Sequence, residues 1–297
     1  KELFGQNLSE KIVGVREEVV TDTNKKNAQD FVLWFKAVGK YKDHTMRWES
    51  PWGTGFPGWH IECSAMSTKY LGEQFDIHTG GIDHLSIHHP NEIAQAEGAS
   101  GKFPFVKYWI HHDFLTVDNK KMSKSLGNTY RVTEIKEKGY SPLALKYLYL
   151  LAHHSRPLNF TFEALDSAAK SLNKIYSAIL NLQNSNIQNV LPDPNYRAEF
   201  LSAMEDDFNT PVALAVLWKT LKSDLDNSVK LVTILDFDKI LGLGFFDVKP
   251  AQEKEYPERV RELITKREIA RKERNWEEAD KLREELKRVF NIEVKDN

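Results

Sequence analysis

The chain has 297 residues, and its 41 Lys and Arg nearly balance its 43 Asp and Glu, so its formal net charge is only -2. This balance excludes a histone-like or polybasic mode of binding. Hydrophobic residues make up 41% and charged residues 28% of the sequence, which excludes a largely disordered or collagen-like chain. No apolar run reaches the roughly 18 to 20 residues that a bilayer crossing needs.

The cysteine content and the first residues bear on where the protein works. Cys63 is the only cysteine, so an internal disulfide is excluded and a reducing compartment is indicated. We therefore expect a cytoplasmic protein. The sequence starts with neither an initiator Met nor a basic-then-apolar signal, and we expect it to begin partway through a longer gene product.

The first half of the sequence predicts a connecting segment followed by an α/β region. Residues 1–50 combine short apolar stretches with polar turns and offer no helix of convincing length, so we interpret them as a connecting or inserted segment. Residues 51–140 alternate turn-forming Gly and Pro with β-like runs at 75–78 and 106–117 and a helical pattern at 91–99. This alternation is typical of a parallel α/β sheet.

The second half is predicted to be helical. Over residues 141–248, apolar side chains recur three and four positions apart beyond the capping pair Ser141-Pro142, which predicts a helical bundle. Residues 249–297 mix both charges and are predicted to form a small helical hairpin broken near Asn275. The predicted fold class is therefore α/β plus all-α: a partial parallel, Rossmann-like sheet, a helical bundle and a small C-terminal hairpin.

Seven of the ten histidines are concentrated between residues 60 and 112, the stretch that also contains the single cysteine. If Pro90 lies in the first turn of a helix, His88 and Glu92 project from the same face. With the thiolate of Cys63 they form a set of sulfur, imidazole and carboxylate ligands that suits Zn2+. The alternative is a group of ordinary buried histidines that form hydrogen bonds, because His and Glu four residues apart are common on helices.

A lysine-rich segment follows a β-like run. Residues 121–128 read Lys-Met-Ser-Lys-Ser-Leu-Gly-Asn: two lysines, Lys121 and Lys124, separated by small hydroxyl residues, with Gly127 nearby for backbone freedom. Such a loop suits a polyphosphate, although a generic Lys/Ser loop is usually a solvated turn. The first five of these residues, 121–125, match without a substitution the signature of class I aminoacyl-tRNA synthetases.

Several longer motifs make the resemblance more specific. Together they resemble cysteinyl-tRNA synthetase, and they extend over almost the whole chain in the order 58–66, 76–83, 88–95, 206–211 and 276–283. The resemblance implies that Cys63, His88 and Glu92 hold a Zn2+ ion. A fourth ligand, another cysteine, would come from an N-terminal half of the catalytic domain that this sequence lacks.

The resemblance also implies a use for the metal. In the family, the thiolate of the substrate cysteine binds this zinc. Cysteine and serine differ by one atom, and shape alone would separate them by only roughly 1 to 3 kcal/mol. Because zinc prefers a thiolate to a neutral hydroxyl, the metal adds a chemical difference to this selection.

Further site residues are implied by the same motifs. Trp59 would line the pocket against the substrate side chain, although a core aromatic is the alternative interpretation. His60, His78 and His89 would flank the zinc or contact the substrate carboxylate, and the sequence does not assign them individually.

The nucleotide would be bound by another group of residues. Asp83, which follows two glycines, would face the ribose of ATP. Lys124 would contact the phosphates of ATP, supplied with Mg2+, and stabilise the leaving pyrophosphate, while Lys121 would support the closed loop.

Some positions depart from the family pattern. Less common residues stand near the expected zinc helix at Thr79, His84, Ser86, Ile87 and Pro90. None of them removes a proposed ligand. The family's His-Ile-Gly-His signature, which binds ATP opposite the lysine loop, occurs nowhere in the sequence. We therefore predict that this chain alone does not form cysteinyl adenylate.

The sequence leaves three alternative functions open. The first is ATP-dependent activation of L-cysteine and its transfer to tRNA(Cys), with the missing N-terminal half as a partner. The second is a cysteine ligase of the mycothiol-pathway type, which would not be expected to keep the charged C-terminal region. The third is a paralogue that binds RNA or protein without catalysis; the intact zinc ligands and Lys124 count against it.

Overall fold

A computed structural model describes residues 25–27, 30–249 and 258–290. The chain divides into two compact units, Lys1–Phe246 and Asp247–Asn297. Over the described residues, the first unit contains seven strands and eight α-helices, and the second contains two α-helices. Among the residues described, no helix has the length and apolar character of a membrane span.

Short strands form three small sheets in the first unit. The strands are β1 (Trp34–Lys36), β2 (Gly55–Pro57), β3 (Phe75–Gly81), β4 (Val106–His112), β5 (Leu115–Val117), β6 (Lys120–Lys121) and β7 (Leu158–Phe160). β1 pairs antiparallel with β2, β3 pairs parallel with β4, and β5 lies between antiparallel β6 and parallel β7. The predicted partial parallel sheet is confirmed.

The parallel pair is part of a β-α-β unit. Its helices, and those up to the bundle, are α1 (Ile61–Leu71), α2 (His88–Ser100), α3 (Val132–Glu137) and α4 (Pro142–Leu150). α2 connects β3 to β4, and its buried Ala96 packs with Phe105 and Val106 at the start of β4. Glu97 accepts a hydrogen bond from the backbone of Phe105 at 2.9 Å. These contacts fix α2 against the sheet, as a parallel crossover requires.

The predicted helical bundle is also confirmed. It continues from α4 through α5 (Phe162–Leu182), α6 (Pro194–Glu205), α7 (Thr210–Lys222) and α8 (Asn227–Leu241). Ser141 caps α4 by accepting a hydrogen bond from Leu143, with Pro142 at the first helical position. Thr161, Asp193 and Asn209 cap the next three helices with their side chains.

The second unit contains a helical hairpin. It consists of α9 (Glu258–Lys272) and α10 (Trp276–Phe290), with a core of Val260, Leu263, Leu282 and Leu286. Asn275 lies at the break and accepts a hydrogen bond from the backbone of Glu278, which confirms the predicted hairpin and its cap. The predicted linker at 249–251 lies largely outside the described residues, and the domain boundaries at 50, 140 and 248 stay predictions.

Candidate metal centre and lysine loop

Two neighbouring helices bring together the three candidate zinc ligands. Cys63 lies on α1, while His88 and Glu92 lie one turn apart on α2. One donor atom from each residue, a sulfur, an imidazole nitrogen and a carboxylate oxygen, lies within 4.8 Å of the other two. The expected shared face of α2 is present, because His88 Nε2 is 2.7 Å from Glu92 Oε1.

The carboxylate of Glu92 lacks the partners that a buried charge needs. Glu92 is fully buried, and among the described residues neither of its oxygens has a hydrogen-bond partner. His88 Nε2 comes close to Oε1, but the two atoms are not aligned as a hydrogen bond. Burial raises the pKa of Glu92 to about 7. A buried carboxylate without hydrogen bonds is costly, and a bound cation would remove this cost.

A second histidine supports His88. The Nδ1 atoms of His60 and His88 are 2.6 Å apart, so one ring must donate a proton to the other. Burial, followed by the nearby His88 and His84, lowers the pKa of His60 to about 4, so at neutral pH His60 is uncharged. When His88 donates from Nδ1, its Nε2 keeps the lone pair that metal coordination requires.

The other side of Glu92 is covered by His78 and His89. Nitrogens of these two rings lie within 4.8 Å of Glu92 and of each other. Burial, followed by neighbouring histidines, lowers the pKa of His89 to about 3, and burial also lowers the pKa of His78. Since both rings are uncharged at neutral pH, they cannot balance the charge of Glu92. Above the raised pKa of Glu92, a bound cation would supply the missing countercharge.

The sequence analysis did not identify the two residues that contact the rings of His78 and His89. Trp109 stacks on His78 with ring centres 4.7 Å apart, and His111 Nε2 lies 2.7 Å from His89 Nδ1. Both residues lie on β4, two positions apart, and therefore point to the same face of the sheet. That spacing was the available signal.

Trp59 lies at the edge of the cluster. Its side chain is 62% exposed, stacks on His60 at a centroid distance of 4.3 Å and lies 5.6 Å from His88. His60 is the N-cap residue of α1 and has a φ of 82°, a positive value that costs free energy for a residue other than glycine. The structure therefore places an exposed aromatic surface directly beside the candidate ligands.

We expect Gly80→Ala to disrupt the histidine cluster. A Cβ at Gly80 would lie 2.5 Å from His89 Cε1 and 3.0 Å from His84 Nδ1. Because His89 is buried and bonded to His111, its ring cannot move away freely. We expect a loss of roughly 1 to 3 kcal/mol in stability and a roughly 10- to 100-fold loss of metal affinity, measured by urea unfolding and Co2+ titration.

Gly98→Ala is the matched control for this substitution. Gly98 lies on α2, the helix that carries His88 and Glu92, but a Cβ there would meet nothing within 4 Å. An alanine in a helix interior is favoured over glycine by roughly 0.5 to 1 kcal/mol, so this variant should be at least as stable as the wild type. Equal metal binding by both variants would contradict the proposed role of Gly80.

The lysine loop is built on another sheet. Lys121 is the last residue of β6, and Lys124 begins a 3-10 turn at Lys124–Leu126. Asn128 shapes the loop: its side chain accepts from the backbone of Ser123 at 2.9 Å and donates to the carbonyl of Lys121 at 3.1 Å. Gly127, between the 3-10 turn and Asn128, has a φ of 63°. Both lysine side chains are exposed and available to a ligand.

Asp83 lies in a third place, in the turn Ile82–His84 that follows β3. Its carboxylate is exposed and 3.8 Å from His84 Nε2. A Cβ on Gly81 would collide with the carboxylate of Asp83, so this glycine permits the close approach. The structure thus joins seven candidate side chains and the two supporting ones, Trp109 and His111, into one cluster, with the lysine loop and Asp83 outside it.

Comparisons with known proteins place the chain among the class I aminoacyl-tRNA synthetases. Residues 2–170 match the family model described as the tRNA synthetases class I (C) catalytic domain. Residues 199–223 match the DALR domain, and residues 253–296 match the cysteinyl-tRNA ligase anticodon binding domain.

Curated relatives identify the family more closely. The chain is 44% identical over 263 residues to cysteine–tRNA ligase 1 of Burkholderia lata, covering 88% of this chain and 54% of that protein. It is 40% identical over 315 residues to cysteine–tRNA ligase of Treponema denticola, covering 96% and 63%. The chain belongs to the cysteinyl-tRNA synthetase family, and it spans between 54% and 63% of the length of these relatives.

A solved structure shows the same fold. LeuRS of Agrobacterium radiobacter, determined in a ternary complex with tRNA and LeuAMS, aligns with a TM-score of 0.50 and 14% identity, covering 69% of this chain and 33% of that one. This agrees with a partial Rossmann-like sheet followed by helices.

Proposed function

We propose that this chain contributes to the ATP-dependent activation of L-cysteine and to its transfer to tRNA(Cys). The observation that carries the proposal is the fully buried carboxylate of Glu92, which lies beside a thiol and an imidazole and has no hydrogen-bond partner among the described residues. Family membership supplies the reaction, and this group of atoms supplies the reason for cysteine as the substrate.

Cys63, His88 and Glu92 would hold Zn2+. The donor set fits zinc because it combines sulfur, nitrogen and oxygen, and the uncompensated charge of Glu92 fits a cation. When bound, the zinc would supply a preference for a thiolate over a neutral hydroxyl, which separates cysteine from serine. His60 would accept the Nδ1 proton of His88 and so orient that ring.

The residues around this centre would hold the rest of the amino acid. Trp59 would pack against the substrate side chain, since its ring lies beside His60 and is exposed to incoming ligand. His78 and His89, which lie beside Glu92, would remain uncharged. They would exclude water there and keep the carboxylate of Glu92 in place.

Lys124 and Lys121 would act on ATP. Their ammonium groups are exposed on a loop shaped by Asn128, so the loop can approach a polyphosphate with its Mg2+. Lys124 would stabilise the negative charge that develops on the leaving pyrophosphate, and Lys121 would support the loop. Asp83 would face the ribose. This part of the reaction depends on positioning and charge, without a protein nucleophile.

The helical parts would contact tRNA. The match of residues 253–296 to an anticodon binding domain favours a tRNA substrate over the mycothiol-type ligase, because that type is not expected to keep this region. The intact ligand set likewise favours catalysis over a paralogue that only binds.

Cobalt substitution would test the metal centre. Because Cys63 is the only cysteine, a thiolate-to-cobalt absorption band in the near ultraviolet can arise only from this residue. We expect the band on adding Co2+ to the tag-free chain and its loss in Cys63→Ser. Ser67→Ala, one turn along the same helix, is the matched control and should keep the band. Absence of the band from the wild-type chain would refute the proposed centre.

Pyrophosphate exchange would test the need for further residues. We propose that the 297 residues alone do not form cysteinyl adenylate, since the sequence contains no His-Ile-Gly-His segment. The expected result is no cysteine-dependent exchange above background with the isolated chain. Exchange that depends on cysteine and disappears in Lys124→Ala would contradict this part of the proposal while supporting the role of the lysine loop.

A further inference from the structure

A second group of potential metal ligands lies where the sheet meets the helical bundle. His153 and His154 follow α4, and Asp207 lies in the turn between α6 and α7. One donor atom from each lies within 4.8 Å of the other two. None of these residues is part of the cluster around Glu92, and none was singled out by the sequence motifs as a ligand.

Both ring nitrogens of His154 face oxygen atoms. Nδ1 lies 3.0 Å from the carbonyl of His111, while Nε2 lies 3.0 Å from the carbonyl of Asp207 and 3.2 Å from its Oδ1. A neutral imidazole has only one N–H group. If Nδ1 donates to His111, the lone pair of Nε2 points at two further electron-rich atoms, and a cation between them would relieve the repulsion.

The distances around Nε2 fit a shared ion. Two donor atoms that are each about 2.1 Å from one metal ion are about 3.0 Å apart at a right angle and about 3.4 Å apart at a tetrahedral angle. The separations from Nε2 to the carbonyl and the carboxylate of Asp207, 3.0 Å and 3.2 Å, fall in this range. Asp207 has a φ of 52°, and this turn directs both of its oxygens to the same ring.

His153 completes the donor set from the same segment. Its Nε2 lies 4.0 Å from Asp207 Oδ2, so it could reach an ion bound to that carboxylate after a small movement. Its Nδ1 accepts a hydrogen bond from the backbone N–H of Ser155 at 3.2 Å and lies 2.8 Å from Ser155 Oγ. Coordination through Nε2 therefore requires the ring to exchange this bond for donation from Nδ1 to the hydroxyl, which frees the lone pair of Nε2 for a metal.

The site is fixed yet open to solvent. The backbone carbonyl of His154 accepts a hydrogen bond from the backbone of Asp113 at 2.8 Å, which ties this segment to the end of β4. The side chain of Asp207 is 65% exposed, whereas those of His153 and His154 are 22% and 23% exposed. The ion pairs of Asp207 among the described residues are with these two histidines, so a dissolved cation meets a carboxylate without a lysine or arginine partner there.

We propose that His153, His154 and Asp207 bind a divalent transition-metal ion, separate from the centre at Cys63. Two imidazoles and one carboxylate suit Zn2+, Co2+ or Ni2+ rather than Mg2+ or Ca2+. The ion would join the α6–α7 turn of the bundle to the end of β4. Through His111, which contacts His89, it would steady one wall of the histidine cluster.

The test counts metal ions per chain. The tag-free 297-residue chain is dialysed against Co2+, and bound cobalt is measured by atomic emission together with the near-ultraviolet thiolate band. We expect His154→Gln to bind one equivalent less than the wild-type chain while the thiolate band stays unchanged. Asp207→Asn, which keeps the backbone carbonyl, should weaken the same equivalent without loss of folded structure by circular dichroism.

His112→Gln is the matched control, since His112 is an exposed histidine at the end of β4 and lies outside the ligand set. It should bind as much cobalt as the wild type. Equal cobalt content in the wild type, His154→Gln and Asp207→Asn would overturn the proposal. The thiolate band reports separately on Cys63, so failure of that centre would be distinguished from failure of this one.

Discussion

Glu92→Gln is expected to stabilise the metal-free chain at pH 8 while greatly weakening its binding of Zn2+. The carboxylate is fully buried, and burial raises its pKa to about 7 from the ordinary value of 4.5. The folded chain therefore binds more protons than the unfolded chain between these two values, and its stability falls as the pH rises through this window. The amide of glutamine carries no charge, so the variant escapes that loss.

The difference between wild type and variant should depend on pH. At pH 8 the shift in pKa corresponds to about 3 kcal/mol in favour of the variant, and near pH 5 the difference should be small. Urea unfolding in EDTA at both pH values measures it. The histidines, whose lowered pKa values act in the opposite direction, are common to both proteins. They therefore cancel in the comparison.

Glu62→Gln is the control for this experiment, because Glu62 is an exposed carboxylate on α1, beside the same centre. Its stability should follow that of the wild type at both pH values. If Glu92→Gln were destabilising by the same amount at pH 5 and pH 8, the carboxylate would not be carrying a buried charge, and the argument for a bound cation would fail.

The sequence predicted the ligand geometry where it depends on local periodicity. His88 and Glu92 are four residues apart, so a helix alone places them on one face, and Pro90 in its first turn marks where that helix begins. The hairpin and the cap at Ser141 are of the same kind. Each of them follows from residues a few positions apart, whose relation is set by backbone geometry.

The rest of the site depends on contacts between distant segments. His154 and Asp207 are 53 residues apart in the chain, and no periodic pattern relates a turn between two bundle helices to a segment beyond α4. The pairing of β3 with β4 decides that His111 lies beside His89. The sequence also predicted one partial sheet, whereas the strands form three small ones, because strand pairing is set by tertiary packing.

A polar contact at the end of α8 is expected to have the largest effect on the stability of the bundle. The buried carboxylate of Asp238 accepts hydrogen bonds from the backbone of Leu243 at 2.6 Å and of Phe245 at 2.7 Å. Two carbonyl groups of the same turn also accept hydrogen bonds: that of Gly242 from Lys146 on α4, and that of Leu243 from Tyr176 on α5. Asp238 thus shapes the segment to which two other helices are bonded.

Asp238→Ala would leave two backbone N–H groups without an acceptor in a buried place. Since a hydrogen bond to a charged group contributes roughly 1.5 to 3 kcal/mol, we expect a loss of about 4 kcal/mol in the free energy of unfolding, measured in urea. Asp236→Ala, on the same helix, removes ion pairs with Arg197 and Lys239 and should cost less than about 1 kcal/mol. Similar losses in the two variants would mean that the buried turn contributes no more than surface charge does. In that case the turn at Gly242 would not be what holds α4 against the bundle. It would also not be what fixes the chain segment that leads from the lysine loop to α4.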